Sequence, residues 1–459
     1  MTSEPNVRLA QAIRRADLSN SSLATRVRVV ASENGVALKC THVNVKRWLE
    51  GVQPRATTAR FIAEALSRKA RIRFTLDDIG MGGAVSPEIV ESGLDYPDEV
   101  GGASNRLLGL TRRELAEDTL ALGAAIVPSA WTQPLLTWLL SRPEPLPIKS
   151  SARPNVGESD VRAIRTTTQL FMQMDFQFGG GHARAALAQY FERDVCPLLN
   201  GRFADPVGRD LFSAASEVAQ LLGWTAYDIG RHGLAQRYLI QALRLAQAAD
   251  DRMMGGRILS NMSHQATYLG NFAQAAQLAR AAQEGSKGTA SDTVMSLFLA
   301  MEARAHAGNG DDAACSRALS EAERVFERRN VEDDPAWISY FDPAELAGEG
   351  AHCFRDLRNP RLTQEFITRA VGLCDPMYVR TLAFVRLVHA ASFIHQGEPC
   401  RAAEVATEAV GLAGSLKSQR YLRYVRDLCE DFNRFTAERE VRDFNQLVAA
   451  KYPSLALAS

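Results

Sequence analysis

A handful of side chains near residue 45 have the types and spacing to read a polyanion. On a helical wheel of residues 41–52, Thr41, Val45, Trp48, Leu49 and Val52 fall on one side and would pack inward. Val43, Lys46, Arg47 and Glu50 fall on the other, with His42 exposed at the N-terminal tip. Such a helix, offering His42, Asn44, Lys46 and Arg47 near its start, fits the major groove of duplex DNA, where Lys and Arg read guanine edges. Ser21 and Ser22 stand at the predicted start of the preceding helix, and Thr57 and Thr58 at the start of the following one. Free amides at helix N-termini bind phosphates well. Arg55 and Arg60 add charge beside them. The blander reading is a basic bundle that docks on a protein, with Trp48 in its core in either case.

Catalytic chemistry finds little footing. There is no GxxxxGKS/T phosphate loop, no HExxH and no GxSxG. Gly179, Gly180, Gly181 and His182 follow no strand pattern and fit a turn between helices. The cysteines, at 40, 196, 315, 353, 374, 400 and 429, are scattered and never form CxxC. Neither a disulfide framework nor a zinc site is expected, and a reducing cytosol is the natural home. We expect no enzyme activity, no cofactor and no metal. The stretch MTSEPNVRLAQAIRR lacks an apolar signal core, and no apolar run is long enough to span a bilayer. Leu110-Thr111-Arg112-Arg113 imitates a twin-arginine signal, but Glu114, Glu117 and Asp118 interrupt it. A helix over 111–127 with an acidic first turn is the expectation there. A cytoplasmic protein, nucleoid-associated when on DNA and without a membrane partner, is implied.

The net charge of zero hides an asymmetry. Residues 1–82 hold 14 Lys and Arg against 7 Asp and Glu, and the remainder holds 39 against 46. A basic segment on an acidic body suits a polyanion partner at one end only. Within that segment, short helices are predicted over 6–16, from Ser21 or Ser22 to about Ser32, over 41–50 with Gly51 as the stop, from Thr57 or Thr58 to about Arg68, and over 75–81. Residues 82–110 are rich in Gly, Ser, Pro and acid and read as a flexible linker. Further on, a small-residue signature recurs. It reads Gly230, Ala235, Leu239, Ala242; then Gly270, Ala275, Ala279, Ala282; then Gly397, Ala402, Ala406, Ala409. Gly308 with Ala313, and Ile367 with Ala370 behind Arg358, are poorer copies. A Gly or Arg ends one helix, and small residues make a close-packing face on the next. Repeated hairpins of this kind build an α-solenoid with an extended concave surface. No strand pattern emerges, and Gln419 to Lys451 reads as a pair of capping helices.

The helix opening Ser-Ser-Leu-Ala, followed by Val45-Lys46-Arg47-Trp48-Leu49-Glu50-Gly51 with Pro54-Arg55, resembles the helix-turn-helix of Xre (Cro/CI-type) repressors. The 24 residues from Ala24 to Trp48 exceed the spacing of compact Xre domains, so helix 2 is longer or a loop is inserted. The repeated signature resembles tetratricopeptide repeats, with Leu222-Gly223, Gly230, Ala235 and Ala242 on the motif positions. In that family the first helix of each hairpin lines the groove. The resemblance therefore implies a groove of Glu217, Gln220, Trp224, Tyr227 and Asp228, then Arg257, Ser260, His264 and Tyr268. Glu302, His306, His352 and Arg355 follow less closely. Such a mixture suits an extended peptide or a polar small molecule.

The whole chain resembles a family of actinobacterial regulators with an Xre-like start and a tetratricopeptide-like body, carried by Leu222 to Ala246 and by Phe178-Gly-Gly-Gly-His-Ala-Arg184. Members of that family influence sporulation and secondary metabolism. In build the chain is also similar to the peptide-pheromone receptors of Gram-positive bacteria. The excess of Arg (46) over Lys (7) fits a GC-rich genome. The expected fold is all-α: a helix-turn-helix domain over 1–82, a linker and connecting helices over 83–157, tetratricopeptide-like repeats over 158–418 and capping helices over 419–459. The implied function is a ligand- or peptide-responsive DNA-binding transcription regulator, acting on double-stranded DNA as a homodimer. The alternative is a repeat scaffold that regulates partner proteins by contact.

Overall fold

The computed structural model describes residues 5–33, 36–70, 72, 74–76, 78–81, 93–140, 142, 144–146, 155–373, 378–414 and 416–456. Its regular structure is helical throughout. The Asn34-Gly35 stop, Cys374 and the linker stretch 82–92 lie outside the described residues.

Among the described residues the N-terminal head has four helices, α1 (Val7–Arg15), α2 (Asn20–Glu33), α3 (His42–Leu49) and α4 (Ala56–Ala70). Leu9, Leu23, Val27, Val45, Ile62 and Leu66 are fully buried between them. Asn6 caps α1 by accepting from the Leu9 amide, and its own amide donates to the Ile79 carbonyl, 2.9 Å, which ties the two ends of the head together. Two helix starts differ from expectation. Ser19, not Ser21 or Ser22, caps α2, its Oγ accepting from the Ser22 amide at 3.1 Å. Helix α4 begins at Ala56, which puts Thr57 and Thr58 inside its first turn. Residues 75–81 are turns at their described positions rather than a fifth helix. There Asp78 accepts from both the amide and the hydroxyl of Thr75, and such a local bond competes with helix formation. Thr41 and Val52, placed inward by the wheel, are exposed, Val52 by 39%.

The linker reading fails from residue 93 onward. Helix α5 spans Val100–Leu115, so Arg112 and Arg113 sit in its last turn and not its first. Short α6 (Thr119–Leu122) and α7 (Thr132–Leu140) follow. The Gly- and Pro-rich stretch before α5 is held by side chains of one later helix. Gln241 donates to the Gly93 and Asp95 carbonyls, and Arg244 to those of Pro97 and Asp98. Composition alone reads these residues as free chain because the groups that capture them lie about 150 residues away, by the sequence separations of 146 to 148 in those bonds.

Helix α8 (Glu158–Phe178) opens the body, and α9 (Arg184–Tyr190) runs through a π-helical turn, Phe191–Val195, into α10 (Cys196–Leu199). Five hairpins then follow: α11 (Asp205–Asp228) with α12 (His232–Ala249), α13 (Arg252–Tyr268) with α14 (Phe272–Gly285), α15 (Asp292–Gly308) with α16 (Asp312–Glu327), α17 (Pro343–Asp356) with α18 (Pro360–Leu373), and α19 (Val379–His395) with α20 (Pro399–Ala413). The turns sit at Gly230, Gly270, Gly310, Arg358 and Gly397, all with positive φ. The true third turn residue is thus Gly310, because Gly308 ends α15 with the Phe272 ring where a Cβ would go. Counted from there, the poorer copies regain the full register: Cys315, Leu319 and Ala322, then Thr363, Ile367 and Ala370, all buried.

The first helices, α11, α13, α15, α17 and α19, pack one against the next as an inner row. Helix α8 touches both α11 and α19, so it bridges the two ends of that row and the inner helices enclose a cavity. Helix α21 (Gln419–Phe432) lies against α19, and α22 (Arg439–Lys451) against α20. The expected open groove is therefore a ring.

Candidate functional site

On α3 the Thr41–Asn44 pair sets the helix start. Asn44 Oδ1 accepts from the Thr41 amide, 2.9 Å, and from its hydroxyl, 3.0 Å. Gly51, at φ 95°, ends the segment. Val45 and Trp48 face the core, and His42, Val43, Lys46, Arg47 and Glu50 face outward and are exposed. Lys46 stands 4.0 Å from Glu50, a solvent-screened pair. Ser21, Ser22 and Arg55 are exposed as well, and Thr57 is half-buried. Two assigned residues behave otherwise. Asn44 has its carbonyl oxygen committed to the cap. Arg60 is only 8% exposed, and burial lowers its guanidinium pKa. It cannot reach phosphates from there. The reason is that α4 is covered twice, by the head core and by α6 of the body, and Arg60 lies within electrostatic reach of buried Arg237.

The second site is the cavity inside the ring, about 120 Å³. That is room for about four water molecules or a small ligand. Each inner helix contributes: Met172, Asp175 and Phe176 from α8, Gln220 and Trp224 from α11, Arg257, Ser260, Asn261 and His264 from α13. Arg304 comes from α15, Glu345, Glu349 and His352 from α17, and Arg380 and Phe384 from α19, while Arg420 enters from α21. Three of the four arginines are paired: Arg304 with Glu349, Arg380 with Asp175 at 2.7 Å, and Arg420 with Asp228 at 3.5 Å. Asp175 also accepts from the Trp224 indole, 3.2 Å, while its other oxygen has no partner among the described residues. Gln220 Oε1 and Arg257 Nη1 are orphaned in the same way. Unpaired polar atoms at this depth are uncommon, and several in one cavity mark a place where something else supplies the partner.

Of the groove residues assigned from the repeat pattern, Gln220, Trp224, Arg257, Ser260 and His264 line the cavity. Four do not. Tyr227 is buried behind it, its hydroxyl 2.8 Å from His264 Nδ1 and its ring against Tyr268. Asp228 is fully buried and accepts from the Gly180 amide and the Ser418 hydroxyl, both at 3.0 Å. A Cβ at Gly180 would meet the Thr225 backbone at 2.8 Å, so that glycine serves close approach and not phosphate. Tyr268 carries the Arg423 guanidinium 4.3 Å over its ring. Glu217 is buried beside the cavity. Of the weaker assignments only His352 lines it. Glu302 accepts from Arg280 and Gln283, with His306 beside it, and Arg355 pairs with Asp356.

Residues 9–82 match the SP15 N-terminal domain family. The match covers the head and stops before the ring. No curated protein matches the chain. No helix among the described residues is long and apolar enough to cross a membrane. Away from both sites, ligand atoms of Cys400, Glu438 and Glu440 lie within 4.8 Å of one another, a juxtaposition the scattered cysteine pattern does not suggest.

The position rule missed Asp175, Arg304, Glu345, Arg380 and Arg420. A signal existed: Arg304 and Arg380 are charges set in largely apolar helices, where an unpaired buried cation is costly. The protonation of the cavity follows from its depth. Burial, with Glu349 and Asp342 adding like charge against Arg380 and Arg420, pushes the Glu345 carboxyl up to about 8. Burial and the surrounding arginines hold His264 and His352 well below the usual histidine range, so both stay neutral.

The folded chain therefore keeps a proton on Glu345 up to about pH 8, while the unfolded chain releases it near the ordinary value of 4.5. This group's contribution is favourable at low pH and is lost as pH rises between those values. Glu345→Gln should flatten the decline and raise stability at pH 9 by on the order of 1–3 kcal/mol. Chemical denaturation at pH 6 and pH 9 checks this, and an equal effect at both pH values would contradict it.

Proposed function

We propose that this chain is a ligand-responsive, DNA-binding transcription regulator, with a helix-turn-helix head and a tetratricopeptide-like sensor body. The observation that carries the reading is the outward face of α3. His42, Val43, Lys46 and Arg47 stand exposed on a helix whose other face, Val45 and Trp48, is anchored in the head core. An eight-residue helix so anchored can enter a major groove while the rest of the head meets the backbone. Exposed Arg55 supplies charge beside it, in a segment that is basic overall. The sensor half of the reading rests on the cavity and its orphaned polar atoms. Because the inner helices close into a ring, a small molecule suits it better than an extended peptide. The protein would act in the cytoplasm, as a homodimer that brings two heads to one operator.

The test uses the full chain and a random duplex pool. Rounds of selection should enrich one sequence. On that sequence Arg47→Ala should cost about 1–3 kcal/mol and relax preference at one base pair. Arg55→Ala should instead weaken all duplexes alike and lower the salt slope by about one unit. Identical behaviour of both variants on selected and random DNA would remove α3 from the groove. No retention of any duplex at low salt would end the reading altogether.

A further inference from the structure

The ion pairs of the cavity leave one arginine without a carboxylate partner among the described residues. Arg304, Arg380 and Arg420 each have a carboxylate partner. Arg257 has none among the described residues, although it is only 4% exposed. Its guanidinium stands over Trp337, 4.6 Å from the ring centre, and Nη2 reaches the Met172 sulfur, 3.8 Å away. Nη1 is buried without a partner. The nearest acid in electrostatic terms is Glu217, whose own carboxyl burial pushes up, toward its neutral form. An arginine stays charged under these conditions. A buried, unpaired guanidinium is expensive in the empty protein.

We propose that the cavity binds a small organic monoanion, its carboxylate on Arg257 and its body against Phe176, Trp224 and Phe384. This rests on the sensor reading above and names the class of ligand it senses. A single unpaired cation calls for a single negative charge; a phosphate dianion would need a second arginine taken from its partner. Tyr340, within electrostatic reach of Arg257, and Asn261 also line the cavity and can donate to the second carboxylate oxygen. Two orphaned acceptors, Gln220 Oε1 and Asp175 Oδ1, belong to residues that line the cavity as well. They ask for a donor on the ligand, a hydroxyl or an amine. The ligand is thus an acid that also carries a hydrogen-bond donor on an apolar body.

Calorimetric titration of the full chain, without DNA, tests this with phenylacetate, 4-hydroxyphenylacetate, 4-hydroxyphenylacetamide and phenyl phosphate. Both carboxylates should bind, the hydroxylated one more tightly. The amide should bind roughly ten- to a hundredfold more weakly, the cost of losing a charged hydrogen bond. Phenyl phosphate should also trail. Arg257→Gln should lose the preference for carboxylate over amide and, in the empty protein, melt no lower than the wild type, because it removes an unpaired charge. Arg257→Lys should retain part of the preference.

Four results would overturn the proposal: an amide that binds like its acid, a phosphate that binds more tightly than either acid, an Arg257→Gln protein that keeps the preference, or no probe binding at about 10 mM. A large fall in the melting point of Arg257→Gln would do so too, by making Arg257 structural. A carboxylate that binds as described but leaves DNA retention unchanged would leave this inference standing and remove the regulatory reading instead.

Discussion

Replacing Trp48 with alanine is expected to unfold the head while the ring stays folded. Trp48 is 7% exposed and packs in a core that the head does not share with the body. Truncating a core tryptophan typically costs about 3–5 kcal/mol. A domain of this size has a net stability at the low end of about 5–15 kcal/mol, so the loss consumes most of it. Far-ultraviolet circular dichroism should show the helix content of α1 to α4 disappear at 25 °C with the main melting transition in place. Duplex retention should vanish with it. Retained helix content and an unchanged melt would mean that Trp48 is not a core residue, and the orientation of α3 would have to be redrawn.

Glu114→Ala should be as damaging to the body. Glu114 sits in the last turn of α5, 7% exposed, and accepts from Arg184, from Arg231 at 3.4 Å and from the Tyr238 hydroxyl at 2.9 Å. Arg184 reaches on to the Leu222 carbonyl and the Thr225 hydroxyl, both 2.6 Å, so one carboxylate joins α5, α9, α11 and α12. Removing a buried partner leaves its cations uncompensated, at about 3–5 kcal/mol. Tyr238→Phe deletes one neutral donor and should cost only about 1 kcal/mol. Urea denaturation of the three proteins gives the ranking. If Glu114→Ala and Tyr238→Phe were equal, the carboxylate would not be the hub.

The all-helical class and the hairpin pairing were legible because they rest on local spacing. A left-handed turn followed by small residues at fixed offsets is a short-range signal, and it survives even at Arg358, where φ is 55°. The inward placement of Val45 and Trp48 was legible for the same reason. What escaped was long-range. Nothing local shows that Gln241 and Arg244 hold residues 93–98, or that α4 is covered by α6 and so hides Arg60. The wall of the cavity divides the same way. Arg257 and His264 follow from hairpin position, whereas Asp175 comes from α8, which lies within the range read as repeats but precedes the five hairpins, and Arg420 from a helix read as a mere cap.

The bridge made by α8 also changes what the ends of the repeat array are. In an open array the outermost unit has one neighbour and frays first. Here α8 meets both α11 and α19, and the strand of chain before α21 is stitched beside it. The Lys417 amide donates to the Phe178 carbonyl, 2.9 Å, and the Gly181 amide to the Lys417 carbonyl, 3.1 Å. First and last units are joined through α8. There is no terminal hairpin to peel away, so cooperativity extends around the whole circuit. A chain shortened by its final hairpin would lose that closure along with the hairpin, and the cavity would lose two of its walls.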